Sequence, residues 1–233
     1  MSLKDQLENK VSDVFSSTWN YVDARTVPET KSIGLGNHGK KLTATVLYAD
    51  LDDSTNLVRN YTKEFSAEIY KVFLYCASRL IANHDGSIRS FDGDRVMGIF
   101  QGNTPNTDAV KVALKLKWAV DNIITPRLKS QYPNTKYVLK HTVGIDCTEL
   151  LAVRAGVRDS NDLAWIGNAA NVAAKLNGLS SEYPTWITFR VFDKLADDGK
   201  YGGDPRRLMW ERRSWTPMSD MTIYRSNWHW KFR

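Results

Sequence analysis

The chain has 233 residues, of which 42% are hydrophobic and 25% are charged, and its mean hydropathy is −0.42. This length suits one globular domain, or one domain with an appendage, and it is long enough to bury a hydrophobic core. No apolar run approaches the roughly 20 residues that span a bilayer, and the N-terminus lacks the apolar segment of a secretory signal. We therefore expect neither a membrane protein nor a secreted protein nor a disordered chain.

The chain contains 32 Lys and Arg residues against 26 Asp and Glu residues, which gives a net charge of +6. A basic balance favours polyanionic partners such as nucleotides. Because the charges are spread along the chain, we expect neither a nucleic acid nor a membrane as a partner. The two cysteines, Cys76 and Cys147, have no CxxC neighbour, so the sequence predicts no disulfide framework and no zinc site, and favours a reducing cytoplasm.

The first predicted elements are an amphipathic helix, a linker and a buried strand. Apolar residues spaced by three and four predict the helix over residues 3–24, and glycine and proline predict the linker over residues 25–41. The β-rich run over residues 42–49 predicts a strand that ends at Asp50.

A helix and a hairpin are predicted next. Residues 54–83 form the predicted helix, with Ser54 as its N-cap. The Asp-Gly pair at residues 92–93 separates two short β-rich runs, residues 88–91 and 96–100, which is typical of a β-hairpin.

The last part of the chain contains a second long helix and further strands. Apolar periodicity predicts the helix over residues 106–129. The other predicted elements are a strand pair, a helix, a strand, a helix and two closing strands: 137–146 with 150–157, 168–179, 186–189, 190–198, and 208–213 with 221–228. The core order β–α–β–β–α–β predicts an α+β, ferredoxin-like fold. We divide the chain into an N-terminal helix and linker, 1–41, and a core domain, 42–233.

Two acidic segments carry candidate metal ligands. Asp50 ends an apolar strand, and the following loop and helix start, residues 51–55, direct backbone N–H groups at an anion. Asp94 lies at the hairpin tip, and adjacent strands of this topology bring it to the same sheet edge as Asp50. Two hard carboxylates beside a phosphate-binding loop suit Mg²⁺ or Mn²⁺. The alternative for the second segment is a hairpin turn without chemistry.

A third segment, residues 167–176, predicts a helix of small residues with two polar side chains on one face. Asn171 and Lys175 are four residues apart and therefore lie one turn apart. An amide and a cation in this arrangement suit a ribose oxygen and a phosphate. A solvated helix surface is the alternative.

These segments resemble the motifs of the class III nucleotide cyclases, the adenylate and guanylate cyclase family. Residues 48–55 resemble the first metal motif of the family, and residues 90–94 resemble the second, which ends in Gly-Asp. The Val-Gly-Ile sequence at 143–145 is similar to the strand that follows, and residues 165–175 resemble the family's asparagine helix. The resemblance covers about residues 42–226, in the family's order.

The resemblance implies a set of catalytic and metal-binding roles. Asp50 and Asp94 would hold two Mn²⁺ or Mg²⁺ ions, with the Leu51 backbone carbonyl as a further ligand. Asn171 matches the asparagine that orients the ribose. Lys175 stands where the family has its transition-state arginine, so it keeps the charge but not the bidentate fork.

The resemblance also implies a nucleotide-binding set and a dimer. The triphosphate lysine of the family has no clear match, and Arg225 is one of several nearby cations. The family builds its site from two subunits, which implies a homodimer around a nucleoside triphosphate. The implied nucleotide-binding residues are Tyr48, Asp53, Ser54, Thr55, Ser90, Ala164 and Arg225.

The positions that read the base match neither purine pattern. Adenylate cyclases have lysine and aspartate there, guanylate cyclases have glutamate and a small polar residue, and this chain has Ser90 and Ala164. This departure, with the aromatic tail 224–230, resembles the pyrimidine cyclases of the bacterial Pycsar anti-phage system. It implies conversion of UTP or CTP, with UTP favoured, into a cyclic monophosphate that activates a separate effector. The alternatives are an adenylate or guanylate cyclase, a catalytically silent homologue, and another metal-dependent nucleotidyl enzyme such as a diguanylate cyclase.

Overall fold

The computed structural model describes residues 1–232, so Arg233, the last residue of the predicted core domain, lies outside the described residues. The helices are α1 (Leu3–Ser16), α2 (Ser54–Asn60), α3 (Lys63–Asn83), α4 (Pro105–Ala119), α5 (Thr125–Gln131), α6 (Asn168–Leu176), α7 (Phe189–Asp193) and α8 (Asp197–Lys200). The strands are β1 (Asn20–Asp23), β2 (His38–Leu51), β3 (Ser87–Asp92), β4 (Arg95–Phe100), β5 (His141–Val157), β6 (Ser160–Ile166), β7 (Thr185–Thr188), β8 (Tyr201–Gly202), β9 (Arg207–Leu208), β10 (Glu211–Trp215) and β11 (Met221–Ser226).

Nine of these strands form one sheet around β2. The strand order β5–β2–β4–β3 is that of a ferredoxin-like core, and β7, β11 and β10 extend it beyond β5. Strand β1 pairs with the start of β2, and β6 pairs with the end of β5. The predicted ferredoxin-like α+β fold is therefore confirmed.

Different elements pack against the two faces of the sheet. Helices α3 and α4 cover one face, where Leu47, Ala49 and Leu51 of β2 join the main core. The alternate residues of β2, such as Val46, face α6 and the segment before β2. Asp50 follows this alternation, so it lies on the α6 face of the sheet.

The prediction for residues 137–157 was wrong. We expected two strands paired with each other, but residues 141–157 form one continuous strand, β5. The residues between the two predicted strands, 147–149, include no glycine or proline, and β2 pairs with β5 from Gly39 to Leu51. The turn comes later, where Asp159 adopts a left-handed conformation (φ 66°) before β6, a strand that the sequence did not reveal.

Four predicted helices also differ from the structure, and the last of them, 190–198, divides into α7 and α8. Helix α1 ends at Ser16, and the remainder of its predicted span contains β1, which pairs in parallel with β2. The predicted helix 54–83 is broken, because the Thr62 hydroxyl accepts the Phe65 N–H and starts α3 anew. Its first cap is Asp53, not Ser54. The predicted helix 106–129 changes to a π-helical turn at Val120–Ile124 before α5.

Close packing of α6 on the sheet depends on Gly144. A Cβ at this position would lie 2.1 Å from the Ala173 carbonyl oxygen. Ala169, Ala170 and Ala173 are buried against the same sheet. These alanines therefore form the contact between α6 and the sheet within one chain.

Replacing Gly144 should loosen this contact. We expect Gly144→Ala to lower the free energy of unfolding by about 1–3 kcal/mol, because the added methyl group meets backbone atoms that cannot turn aside. Urea unfolding followed by circular dichroism measures the change. Gly178→Ala is the matched control, since its Cβ would meet the Lys175 carbonyl oxygen at an ordinary 3.4 Å. Equal stabilities of the two variants would contradict the packing described.

Candidate active site

Asp50 and Asp94 come together at one end of the central strands. Asp50 is the penultimate residue of β2, and Asp94 lies in the tight turn between β3 and β4, where Gly93 has φ 60°. The register pairs Ala49 with Val96, so the chain just before β4 lies beside the end of β2. Both aspartates are half-buried. The expected pairing of the two carboxylates is therefore present in the fold.

Burial and charge repulsion act together on Asp50. Burial, and then the neighbouring Asp94 carboxylate, raise the pKa of Asp50 to about 6. Arg95 and the hydrogen bond from the Leu51 N–H act in the opposite direction. Two carboxylates held this way attract a positive charge, because a cation relieves both the desolvation and the repulsion.

The donor set fits a hard divalent cation. Asp94 Oδ2 is buried without a hydrogen-bond partner, which leaves an acceptor for a metal ion. Within residues 1–232, no group of three or more His, Cys, Asp or Glu side chains converges on a metal position. A metal ion here would therefore complete its shell from backbone carbonyls, water or the substrate phosphates, as Mg²⁺ usually does.

Arg95 is the residue of this site that sequence reasoning missed. Its guanidinium forms an ion pair with Asp92 at 2.8 Å and lies 5.4 Å from the centre of the Tyr48 ring. It lowers the pKa of Asp50. An arginine directly after the second aspartate of the hairpin was the signal for a counter-charge at this place.

The predicted base-reading strand runs beside this site. Tyr48 and Ser90 both pair with Met97, so the three residues form a row across β2, β4 and β3. The Tyr48 hydroxyl donates to Met97 Sδ at 3.3 Å. Tyr48 and Ser90 are half-buried, so this row is partly accessible to solvent beside Asp50.

Residues 28–33 connect the strand of Ser90 with the strand of Ala164. Arg89, which precedes Ser90, donates to the Pro28 carbonyl at 3.1 Å and pairs with Glu29 at 3.0 Å. Thr30 then donates to Asp162, two residues before Ala164, at 3.1 Å. The segment that was predicted as part of a linker thus connects the two strands that carry the predicted base-reading positions, and we call residues 28–33 the strut.

The loop after Asp50 is held by distant segments and by its own contacts: the Asp52 N–H donates to the Lys140 carbonyl at 2.9 Å, and the Ser181 hydroxyl donates to the Asp52 carboxylate at 2.5 Å. Asp53 has φ 59° and accepts two hydrogen bonds from the Asn56 amide, at 2.7 and 2.9 Å. Ser54 is the first residue of α2, and Thr55 is exposed. The side chain of Leu51 is buried in the main core, on the opposite side from Asp50.

His141, opposite Leu51, is fully buried, and burial lowers its pKa to about 3, so it stays neutral.

Asn171 and Lys175 are on the outer face of α6. Both side chains are exposed, while the buried residues of this helix face the sheet. Lys175 Nζ lies 3.6 Å from Met218 Sδ. Within residues 1–232 neither side chain is hydrogen-bonded to Asp50 or Asp94. The expected asparagine–lysine pair is present as one surface, but a single chain does not bring it to the two aspartates.

Arg225 is already occupied by protein groups. Its guanidinium lies 3.6 Å from the centre of the Tyr183 ring, and its Nε donates to Glu211 at 2.8 Å. Arg212, on the neighbouring strand, is exposed and contacts the Thr222 hydroxyl at 3.4 Å. A cation for the triphosphate therefore requires either the release of Arg225 from Glu211 or a different arginine.

Relatives of this chain align along its whole length. Proteins from Xanthomonas perforans and Burkholderia cepacia are each 46% identical over 232 residues, which is 99% of both chains. A protein from Rhodovulum sp. strain MB263 is 36% identical over 236 residues, covering 99% of this chain and 98% of its own. All three are named uridylate cyclase. No family model matches the chain.

Solved structures share the fold. The guanylyl cyclase Cya2 superposes with a TM-score of 0.67 at 15% identity, covering 83% of this chain and 95% of that chain. The adenylyl cyclase CyaB from P. aeruginosa gives 0.64 at 17% identity, over 84% and 97%. A bacterial light-regulated adenylyl cyclase gives 0.68 at 16% identity, over 84% and 55%.

The fold, the paired aspartates and these relatives define a class III nucleotide cyclase. Within that class, the chain belongs to the uridylate cyclase family. The resemblance found in the sequence is confirmed at both levels. No helix within residues 1–232 is long and apolar enough to cross a membrane.

Removing the charge of Asp50 should stabilise the protein when a chelator keeps metal ions away from the site. Because its folded pKa of about 6 lies above the usual value of 3.8, ionisation of Asp50 disfavours the fold as pH rises from about 4 to 6. We expect Asp50→Asn to raise the free energy of unfolding by about 1 kcal/mol at pH 8, after allowance for solvent screening, and by much less at pH 4.

Urea unfolding in EDTA at both pH values measures this effect. Asp85→Asn, the same change at an exposed turn position, is the control and should leave the stability within about 0.5 kcal/mol. A loss of stability in Asp50→Asn at pH 8 would contradict the burial and repulsion described.

Proposed function

We propose that this protein converts UTP into 3′,5′-cyclic UMP and pyrophosphate, at sites formed between two copies of the chain. The observation that carries the choice of substrate is the set of full-length relatives named uridylate cyclase, at 36–46% identity. The alternatives are an adenylate or guanylate cyclase and a catalytically silent homologue. The arrangement of Asp50 and Asp94 argues against the silent homologue, because Asp94 Oδ2 is a buried acceptor without a hydrogen-bond partner and a cation would satisfy it.

The base-reading positions support a pyrimidine. Ser90 and Ala164 offer no charged group to the amine of adenine or to the edge of guanine. A buried polar group left without its partner weakens binding by about 1–3 kcal/mol. Residues 28–33 join the strands of both positions through Arg89 and Asp162, which would fix the spacing between Ser90 and Ala164. We infer that this pocket selects a base by shape and by the Ser90 hydroxyl.

The reaction is an intramolecular phosphoryl transfer. The 3′-oxygen of the ribose forms a bond to the α-phosphorus, the bond from that phosphorus to the bridging oxygen breaks, pyrophosphate leaves, and the 3′-hydroxyl proton passes to solvent. Asp50 and Asp94, with the Leu51 carbonyl, would hold two Mn²⁺ or Mg²⁺ ions. Bound ions would lower the pKa of the 3′-hydroxyl and neutralise the triphosphate.

Asn171 and Lys175 act on the same substrate from the second subunit. Asn171 orients the ribose, and Lys175 places a positive charge near the α-phosphate, where charge develops in the transition state. Lysine offers one point charge where arginine offers a planar fork, so the positioning of the phosphate falls more heavily on the ions. Their exposure on the outer face of α6 supports a site that closes only when two chains meet.

The proposed biological role follows from the resemblance to the Pycsar cyclases. The cyclic nucleotide would serve as a second messenger in anti-phage defence and activate a separate effector protein, without direct binding between the two proteins. The proposed location is the cytoplasm, where nucleoside triphosphates are present and the two cysteines stay reduced.

Base choice is tested by a four-way competition. With Mn²⁺ and equal concentrations of UTP, CTP, ATP and GTP, we expect cyclic UMP as the main product in mass spectrometry. Asp94→Asn should lower the rate at least 100-fold, because it removes a proposed metal ligand, and Asp85→Asn should retain the wild-type rate. Fastest turnover of ATP or GTP would overturn the pyrimidine assignment, and no product from any triphosphate would favour the silent homologue.

The two-subunit site is tested by mixing inactive variants. Asp50→Ala and Asn171→Ala should each be inactive alone, since each homodimer carries the same lesion in both sites. A heterodimer carries both lesions in one site and none in the other, so mixing should restore up to about a quarter of the wild-type activity. No recovery, with subunit exchange shown by differently tagged chains, would mean that each chain holds a complete site.

A further inference from the structure

Tyr137 has a buried hydroxyl group with no hydrogen-bond partner within residues 1–232. The residue lies in the segment between α5 and β5. Buried hydroxyl groups in native proteins are nearly always paired, because an unpaired one has lost its water without compensation. The partner of this donor therefore needs to be identified among the groups at this end of the sheet.

Aromatic packing and the backbone hold the Tyr137 ring in place. The ring lies edge-on to the rings of Tyr61 and Phe65, with centroids 5.5 and 5.8 Å away and interplanar angles of 73° and 88°. It borders the main hydrophobic core. The Asp52 N–H donates to the Lys140 carbonyl at 2.9 Å, which ties this segment to the loop after Asp50. The hydroxyl is thus presented in a fixed direction.

Tyr137 and Asp94 lie at the same edge of the sheet. Asp94 directly precedes β4 and Tyr137 shortly precedes β5, and these two strands flank the end of β2. Burial raises the pKa of Tyr137, and the negative charge of Asp94 is the next cause. Asp94 Oδ2 is itself buried without a partner in the described part of the chain. A buried donor and a buried acceptor, each unpaired, thus lie close to one another.

The other carboxylate near Tyr137 is less suitable as its partner. Asp52 also raises the pKa of Tyr137, but its effect is smaller than that of Asp94. The Asp52 carboxylate already accepts a hydrogen bond from the Ser181 hydroxyl at 2.5 Å. Asp94 is therefore the carboxylate whose unpaired oxygen matches the unpaired hydroxyl.

We propose that Tyr137 is a positioning residue of the metal site: its hydroxyl donates through one bridging water to the Asp94 carboxylate and fixes the orientation of that carboxylate. Among residues 1–232 no direct hydrogen bond joins the two side chains, and a water held by polar groups is a common bridge inside proteins. Each carboxylate oxygen has two acceptor positions, so the water and a metal ion can share Asp94. The proposal rests on the proposed function in that Asp94 is a metal ligand.

A contact of this kind acts on an ion through the ligand that it orients. Groups that hydrogen-bond to metal ligands fix the orientation of those ligands, and their loss typically lowers metal affinity about 10- to 100-fold. The repulsion between Asp50 and Asp94 makes such support useful, because it favours rotation of the carboxylates away from each other. The raised pKa of Tyr137 keeps its hydroxyl protonated, so it remains a donor.

The test compares two phenylalanine variants of the full-length chain. Tyr137→Phe removes the hydroxyl and keeps the ring. Tyr132→Phe is the matched control, because its ring also packs against Phe65, with centroids 4.9 Å apart, but its hydroxyl donates to Glu68. We expect Tyr137→Phe to raise the dissociation constant for Mn²⁺ about tenfold and Tyr132→Phe to leave it within about twofold of wild type. Electron paramagnetic resonance of free Mn²⁺, without nucleotide, measures this constant.

The Mn²⁺ dependence of the reaction separates positioning from packing. In Tyr137→Phe, the Mn²⁺ concentration for half-maximal cyclisation of UTP should rise about tenfold, while the rate at saturating Mn²⁺ stays within about threefold of wild type. A residue that only packs would change stability and leave the Mn²⁺ requirement unchanged. Equal Mn²⁺ dissociation constants for Tyr137→Phe and Tyr132→Phe would overturn the proposal.

A double-mutant cycle in EDTA tests the contact itself and needs no metal ion. Asp94→Ala removes the acceptor. If the two side chains are joined, the unfolding equilibrium constant of the double variant with Tyr137→Phe should differ at least about threefold from the product of the single effects. Asp94→Ala combined with Tyr132→Phe should match that product. Independent effects in both pairs would overturn the proposal, even if Tyr137→Phe lowered the overall stability.

The outcome is separable from that of the proposed function. If wild type binds Mn²⁺ and Tyr137→Phe weakens the binding, but no triphosphate is cyclised, the proposed function fails and the positioning role stands. If wild type cyclises UTP while both phenylalanine variants bind Mn²⁺ equally, the positioning role fails and the function stands.

Discussion

Strand β2 is the constraint on which the rest of this structure depends. Its backbone pairs with β5 from Gly39 to Leu51 and, on its other side, with β4 from Thr45 to Ala49. A slip by one residue would turn every core side chain of the strand to the wrong face. With the register fixed, Leu47 and Ala49 must enter the main core and Asp50 must emerge on the α6 face. The position of the first aspartate is thus a consequence of the hydrophobic pattern before it.

The site is held at the expense of local stability. Asp50 and Asp94 are half-buried, repel each other, and leave Asp94 Oδ2 without a partner. Only a well-packed core can hold two carboxylates in this state. The burial and repulsion of the two carboxylates also make the site favour a cation, because a bound cation offsets both costs. Arg95 offsets part of the repulsion but is itself paired with Asp92.

Two surfaces of the single chain are incomplete. The outer face of α6 presents Asn171 and Lys175 with no substrate or carboxylate beside them. Helix α1 presents large apolar side chains that stay exposed within residues 1–232. Both are held rigidly, α6 by its contact with Gly144 and α1 by Asn37. In the proposed dimer, the first surface completes the chemistry.

The sequence by itself determined the local features. The apolar run before Asp50, the Asp-Gly turn before Asp94 and the small-residue helix with Asn171 are local patterns, and each was found in its predicted element. These were enough for the ferredoxin-like fold and for the family. The sequence did not determine the continuity of β5, the strand β6 or the end of α1. Pairing with β2 decides the continuity of β5 and the change from α1 to β1, and pairing with β5 decides β6.

Only the tertiary structure determined which groups contact the residues of the candidate site. From the sequence, Arg225 is a candidate cation for the triphosphate. In the structure, Glu211 and Tyr183, from other parts of the chain, already contact its side chain. Residues 28–33 look like a linker because their glycine- and proline-rich surroundings lack periodicity, yet Arg89 and Asp162 hold them as a strut. In both cases the partners are distant in sequence. Contacts of that kind arise only when the sheet brings separate strands together, which is why they became visible in the fold and not in the sequence.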